Sequence, residues 1–345
     1  MLQLLSKIYG SIVNARNKKF DEHTSEIVKC NVPVISVGNL TTGGTGKTPF
    51  VIFLANMLLE SGIRPVIIGR GYKKKRKGYV LVSDGKYVID NPDLAGDEMF
   101  LIAKKVNAPV VAHESKSEAA QIAERHISPD VILIDDGFQH RRLLRDIDIL
   151  LINNKTLTEQ NLLPAGHLRE PLSSASRADV IIEIGTIDDD TELRIYLQGK
   201  PKIFKANIVS DNIKNLNGVK VNNDNIDKIK QNSIAVSGIA NPERFLQSLT
   251  NDGFEIIKHI TFRDHKRYSQ PDIDLILTEC KKVNINNIIV TEKDAVKLTK
   301  FKSIFENNNV GCYIYPIEIE ITENFNEFRN YIKSKIQELR KHENI

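Results

Sequence analysis

The sequence predicts an α/β fold with a mostly parallel sheet, followed by a smaller C-terminal α/β domain. Three observations lead there. Apolar runs of strand length alternate with helical stretches through the first half of the chain. Those runs are nearly continuous in hydrophobicity, as strands covered on both faces are. A polar stretch rich in Asp, Asn and Lys, residues 186–232, then breaks the pattern before a second alternation begins. At 345 residues the chain is long enough for two domains.

The N-terminal stretch "MLQLLSKIYGSIVNARNKKF" places Leu2, Leu5, Ile8, Tyr9, Ile12 and Val13 at helical spacing on one side. Residues 1–20 therefore read as an amphipathic helix. Two settings are open: packed on the core, or lying in anionic headgroups with Lys7, Arg16, Lys18 and Lys19 as cationic ends. Lys7 interrupts the apolar stretch and no A-x-A-like site follows, which argues against a signal peptide. No run approaches the ~18 apolar residues of a spanning helix.

Strands are expected at 32–38, 64–71, 108–113, 130–136, 146–153 and 178–185. Helices are expected in "PFVIFLANMLLESG", "GDEMFLIAKKV" and "SEAAQIAERHI". Together these make a first domain over 21–200. Residues 201–232 read as a linker with one strand-like run at 201–209. The second domain, 233–345, alternates "SIAVSGIA", "PERFLQSLTNDG", "FEIIKHITF", "QPDIDLILTECKKV", "NNIIVTEKD" and "CYIYPIEIEI" before a charged C-terminal helix with a solvated tail.

Net charge is only +4, so nothing global calls for nucleic acid. The three cysteines, Cys30, Cys280 and Cys312, are far apart and lack C-x-x-C spacing. They point to a reducing compartment, without a disulfide framework or zinc site.

The first strand runs into "TTGGTGKT", residues 41–48, and then into a helix. This is the strand–loop–helix setting of a phosphate-binding loop, and it sharpens the fold class to a P-loop NTPase core of RecA-like type. Thr41, Thr42, Gly43, Gly44, Thr45, Gly46, Lys47 and Thr48 are the candidate nucleotide-binding residues. Backbone N–H groups at the helix start hold phosphates, Lys47 reaches the β and γ phosphates, and the Thr48 hydroxyl ligates Mg²⁺. The pattern G-x-x-x-x-G-K-[ST] has Thr41 where its first glycine belongs, so the turn out of the strand must be made differently. "VILIDDGFQH" places Asp135 and Asp136 at a strand end, where they can hold Mg²⁺ or cap a turn. Guanine specificity would call for an N-K-x-D loop. "TEKD" (291–294) lies in the second domain and only superficially resembles one, so ATP is the expected nucleotide.

The phosphate acceptor is less legible. "AGDE" puts Asp97 and Glu98 at a helix start, as caps or as a base for an attacking hydroxyl. "FRDHKRYS" puts Asp264 and His265 after a strand of the second domain. "GRGYKKKRKG", with Arg70 and the cations 73–77, and "HRRLLR" are basic. Each reads as a solvated loop or as a contact for a membrane surface or phosphorylated substrate.

Taken in order, "VGNLTTGGTGKTP", "GRGY", "GDE", "DDGFQH", "LLPAGHLREPLSSASRAD", "SGIANPERF", "FRDH" and "TEKDAVKL" resemble the tetraacyldisaccharide 4'-kinases, the lipid A kinases of Gram-negative bacteria. The match spans residues 32 to 298, and "DDGFQH" with "PAGHLREP" is its most specific part. The family tolerates Ser or Thr at the position of Thr41. The resemblance implies transfer of the ATP γ-phosphate to the 4'-hydroxyl of a tetraacylated glucosamine disaccharide 1-phosphate. It implies Asp97 as catalytic carboxylate, His265 as its partner, and Lys47 on the transferring phosphoryl group. Thr48, Glu98, Asp135 and Asp136 would hold Mg²⁺, and Arg70, Gln139, His140 and Arg169 would contact substrate. It also implies a monotopic protein on the cytoplasmic side of the inner membrane, met by residues 1–20. The length of "KKKRK" departs from the family. Two other readings share the loop: a soluble kinase of a small metabolite, and a membrane-recruited ATPase switch.

Overall fold

The computed structural model describes residues 1–187, 192–197 and 201–342. Parts of the expected connecting region, 188–191 and 198–200, and the last three residues of the tail lie outside the described residues. Contacts divide the chain into two units, Met1–Ile208 with Ile319–Ile345, and Val209–Glu318.

The first unit opens with helix α1 (Leu2–Asp21). Strand β1 (Val34–Gly38), buried throughout, leads to α2 (Lys47–Glu60) and β2 (Pro65–Gly69). Then come β3 (Val80–Asp84), α3 (Asp97–Lys105), β4 (Pro109–Ala112), α4 (Lys116–Ile127) and β5 (Val131–Asp135). The pass ends with β6 (Ile147–Ile152), α5 (Asn154–Thr158), β7 (Val180–Ile184), α6 (Glu192–Leu197) and β8 (Lys202–Ser210).

The second unit holds β9 (Lys214–Asn215), α7 (Asn223–Gln231), β10 (Ser233–Ser237), α8 (Pro242–Asn251) and β11 (Ile256–Thr261). It continues through α9 (Gln270–Val283), β12 (Asn287–Thr291), α10 (Glu292–Leu298), α11 (Lys302–Asn307) and β13 (Gly311–Tyr315). The chain closes with β14 (Ile317–Ile321) and α12 (Phe325–His342).

The large sheet runs β14-β8-β7-β6-β1-β5-β2-β4-β3. From β4 to β8 its neighbours pair in parallel, and the edge strand β3 pairs antiparallel with β4. At the other edge β14 runs antiparallel to β8, with Asp211 N–H donating to Pro316 O and Thr322 N–H donating to Lys205 O. The α/β fold with a mostly parallel sheet is therefore as expected. Strand β1 sits between β5 and β6, so the loops after β1 and β5 open side by side. Below one face, Val34, Val66, Ile68, Ile132 and Ile134 pack on the alanines of α4, Ala119, Ala120 and Ala123. Three small residues on one stripe let that helix lie close to the sheet. β3 was not expected from sequence; it is short, partly exposed and bulged between Leu81 and Ser83, as an edge strand tolerates.

The smaller unit has the sheet order β11-β10-β12-β13-β9. Alternate residues feed its two faces. Ile234, Val236, Ile288 and Val290 meet α9, while Ala235 and Ile289 join Phe245 and Leu249 of α8.

The boundaries differ from the expected 233–345 domain and 201–232 linker. β8 is a member of the large sheet, not a connector. "CYIYPIEIEI" is two strands rather than one: Pro316 has no N–H to give a ladder, and the halves join different sheets. α12 then returns to the first unit. Phe328, Ile332 and Ile336, spaced for one helical face, are all buried, with Phe328 against Phe50 and Phe204 at 6.1 and 5.2 Å between ring centroids.

Candidate active site

The glycine-rich loop 41–46 lies between β1 and α2, the strand–loop–helix placement read from the sequence. Gly46 holds φ 93°, a left-handed backbone that glycine reaches without strain. A Cβ there would also lie 2.9 Å from Cδ1 of Ile208. Asn39 donates to the Thr45 hydroxyl at 2.8 Å and fixes the loop from within. Thr41 is buried and forms an antiparallel bridge to Leu168. Its neighbours continue the pairing: Thr42 N–H donates to His167 O at 2.8 Å, and Arg169 N–H donates to Leu40 O at 2.7 Å. The chain thus leaves β1 extended, a conformation β-branched threonine favours. That is the physical reason no glycine is needed at the first position.

Lys47 and Thr48 open α2. The Lys47 ammonium lies 3.6 Å from Oδ1 of Asp136. Burial pulls its pKa down; Asp136 opposes this, Arg169 adds to it, and Asp135 and Glu98 oppose it further. Asp136 has φ 54° and is gripped by Arg169, whose Nη1 lies 2.9 Å from both carboxylate oxygens. Burial alone would raise the Asp136 carboxyl, but Lys47, Arg169 and Lys116 outweigh it and hold it well below the usual range. Asp135, at the end of β5, behaves oppositely. Burial, with Glu98 and Asp136 adding, pushes its pKa up to about 7, and its Oδ1 has no hydrogen-bond partner among the described residues. Two adjacent aspartates are thus separated into one fixed anion and one carboxyl open to a ligand.

Asp97 and Glu98 form the first turn of α3, where the helix dipole favours negative charge. "GRGY" and "GDE" explain each other here. Gly96, at φ 81°, lies so close to the preceding loop that a Cβ would be 2.7 Å from Tyr72 O and 2.9 Å from Gly71 C. The loop that begins at Arg70 is therefore seated on the turn that aims Asp97. Within it, "KKKRK" is only partly the solvated run expected. The Lys74 side chain is 2% exposed and pairs with Glu114 at 2.8 Å, while Lys73, Lys75, Arg76 and Lys77 face outward.

The four residues expected to contact substrate sit differently. Arg70 is exposed. Gln139 donates to Asn39 O at 2.8 Å and accepts from Arg169 at 3.3 Å, and Arg169 is committed to Asp136. The His140 ring is half-buried, its Nε2 has no partner among the described residues, and its pKa falls to about 4 through burial, then Lys116, Arg145, Arg142 and Arg70. His265 belongs to the second unit. Its backbone is left-handed at φ 53°, its N–H donates to Gly238 O at 3.1 Å, and its Nε2 lies 3.9 Å from Asp264.

Lys116 went unnoticed in the sequence. It is the first residue of α4, and its buried ammonium donates to the Asp136 carbonyl. A cation at a helix N-terminus opposes the dipole unless an anion is near; that anomaly in "SKSEAA" was the available signal. Among the described residues, no group of three or more His, Cys, Asp or Glu could hold a metal by itself. Mg²⁺ needs no such group. It keeps several waters and takes one or two protein ligands plus phosphate oxygens, and the buried, unpartnered Asp135 oxygen with the Thr48 hydroxyl fits that donor set.

A parallel sheet with a glycine-rich loop after its central strand, and an acidic strand end beside it, defines a P-loop enzyme of phosphoryl transfer. The family model for LpxK, tetraacyldisaccharide-1-P 4'-kinase, matches residues 1–337. The tetraacyldisaccharide 4'-kinase of Halothermothrix orenii is 33% identical over 341 residues, covering 93% of this chain and 88% of that protein. That of Aquifex aeolicus is 37% identical over 312 residues, covering 88% and 91%. The crystal structure of LpxK from Aquifex aeolicus in complex with ATP superposes with a TM-score of 0.75 at 32% identity, covering 96% of this chain and 97% of that one. The chain belongs to the tetraacyldisaccharide 4'-kinase family and is an ATP-dependent kinase.

Proposed function

We propose that the chain transfers the γ-phosphate of ATP to the 4'-hydroxyl of a tetraacylated glucosamine disaccharide 1-phosphate, giving lipid IVA, at the cytoplasmic face of the inner membrane. The observation that carries this reading is the Lys47, Asp135 and Asp136 constellation at the phosphate loop of a chain matched by the family from residue 1 to 337.

The loop 41–48 cradles the phosphates through its N–H groups, and Lys47 leaves Asp136 to follow charge onto the γ-phosphoryl oxygens. Thr48 and Asp135 would hold Mg²⁺, and Glu98 bears on the same field; the ion would supply charge neutralisation to the phosphates. Asp136 is not a ligand in this scheme; its oxygens are occupied by Arg169, and it serves to keep Lys47 and Arg169 in place. Asp97 accepts the proton of the attacking hydroxyl, from a helix start whose dipole favours negative charge. His265 is carried as a catalytic residue by its place in the "FRDH" motif. His140 stays neutral at pH 7 and offers Nε2 to a polar group of the acceptor, as Arg70 does its guanidinium.

Membrane attachment is proposed through α1. Leu4 and Ile12 are 65% and 63% exposed, and Leu2, Leu5 and Ile8 lie outward with them. No helix among the described residues is long and apolar enough to cross a membrane, so α1 lies in the interface. Incubation with γ-labelled ATP, Mg²⁺ and the detergent-dispersed disaccharide phosphate tests the reading. Label is expected in the lipid. ATP consumption of equal rate with and without lipid, and no labelled lipid, would falsify it.

A further inference from the structure

The segment 161–170 is bonded on two sides. Toward α1, Leu162 O accepts from the Ser6 hydroxyl at 2.7 Å and Arg169 O accepts from the Tyr9 hydroxyl at 3.0 Å. Gly10 brings α1 so near that a Cβ there would lie 2.8 Å from Cδ1 of Leu162. Glu170, 0% exposed, takes Arg16 of α1 at 2.7 Å on one oxygen and Arg177 at 2.5 Å on the other. Toward the phosphate loop, the same segment pairs with Leu40, Thr41 and Thr42 through the backbone bonds described above.

Arg169 is the joint. Its carbonyl serves α1, its N–H serves Leu40, and its guanidinium serves Asp136, which in turn faces Lys47. The buried face of α1 is Ser6, Gly10, Val13 and Asn17, small and polar for the most part. A helix that only needed an anchor on the body would bury apolar side chains there. This one spends hydroxyls and an arginine on a strap that ends at the nucleotide site.

We propose that α1 positions the nucleotide site through this strap. Tyr9 and Arg16 are positioning residues for Arg169 and, through it, for Asp136, Lys47 and the loop 41–46. The seating of α1 and the affinity for ATP are therefore linked, and the linkage acts in both directions. Loss of Arg16 leaves the buried Glu170 with one partner instead of two, which strains the strap at its α1 end. This rests on the reading that loop 41–48 holds ATP.

The test measures ATP affinity of the full chain in detergent, where no bilayer is needed, well below the thermal midpoint of each variant. Tyr9→Phe is expected to weaken ATP about three-fold, the size of one hydrogen bond. Arg16→Ala is expected to weaken it about ten-fold, and Arg16→Lys to recover most of the loss, because the ion pair returns. The KM for ATP should rise more than kcat falls. The outward pair Leu5→Ser/Ile12→Ser should bind ATP like the parent. Wild-type affinity in both Tyr9→Phe and Arg16→Ala overturns the linkage and leaves the nucleotide site standing. No ATP binding by the parent chain overturns the site itself. A uniform drop in thermal midpoint with ATP affinity unchanged marks a purely structural α1 and also counts against the proposal.

Discussion

At Asp135 and Asp136, neighbouring residues of one type receive opposite assignments from their surroundings. Asp136 is surrounded by Lys47, Arg169 and Lys116, and stays ionised. Asp135 is buried without a hydrogen bond at Oδ1, and its pKa rises from 3.8 to about 7. A carboxyl raised on folding adds stability that is complete below its unfolded pKa and is lost as pH rises through its folded one. Nucleotide-free protein should therefore lose stability between about pH 4 and above 7. Asp135→Asn removes that loss, and its thermal midpoint at pH 8 is expected to exceed the parent's by about 2 °C or more. Its kinase activity should fall too, as the proposed role of Asp135 toward Mg²⁺ requires. An unchanged midpoint across the pH range would mean that Asp135 is not held as the structure suggests. Asp97→Ala addresses the proposed base. Turnover should drop by about two to four orders of magnitude, with ATP affinity kept, and near-normal turnover would remove Asp97 from the mechanism. Both aspartate pairs were legible in the sequence because each follows a strand or opens a helix. The ion pair between Arg169 and Asp136 was not, since nothing periodic ties residues 33 apart in separate loops.

Helix α1 shows what periodicity conveys and what it leaves out. Spacing alone groups Leu2, Leu5, Ile8, Tyr9, Ile12 and Val13 on one side. The structure divides that group. Tyr9 and Val13 turn toward the body, and Leu2, Leu5, Ile8 and Ile12 turn away from it. An apolar stripe says that a helix has a partner, but not whether the partner is protein or lipid; the small residues Ser6 and Gly10 marked the inner face. Substituting Leu5 and Ile12 together by Ser should reduce binding to anionic vesicles at least about ten-fold, given the transfer free energy of two large apolar side chains. Equal partitioning of parent and variant would place the membrane contact elsewhere. The start of α3 makes the same point for glycine. Gly96→Ala sets a Cβ against Tyr72 O at a backbone angle of φ 81°, so a loss of about 1–3 kcal/mol is expected by chemical denaturation. A smaller loss would show that the Arg70 loop yields, and that its seating does not fix Asp97.

Over the whole molecule, the expected division at 233 separates from the observed one because the chain goes back. The composition shift was real, but the second sheet already includes β9, Lys214–Asn215, ahead of "SIAVS", and no linear pattern reveals that the last helix belongs with the first unit. Its pairing is chemical: Phe328, at 0% exposure, meets Phe50 and Phe53 of α2 and Phe204 of β8. α2 is the helix that begins with Lys47. Phe328 therefore supports the far side of the element whose N-terminus carries Lys47 and Thr48, the proposed phosphate and metal contacts. If 233–345 were a separate domain, a chain ending at 318 would keep an intact nucleotide-binding unit. The observed packing requires the reverse. Such a chain lacks most of β14 and all of α12, exposing the aromatic face of α2, and is expected to aggregate or to bind no ATP. Phe328→Ala is the gentler form of the experiment. Removing a fully buried phenylalanine typically costs about 3–5 kcal/mol, read as a lower denaturant midpoint, with weaker ATP binding as α2 loosens. A 1–318 chain that stays soluble and binds ATP like the full chain would return α12 to the smaller unit.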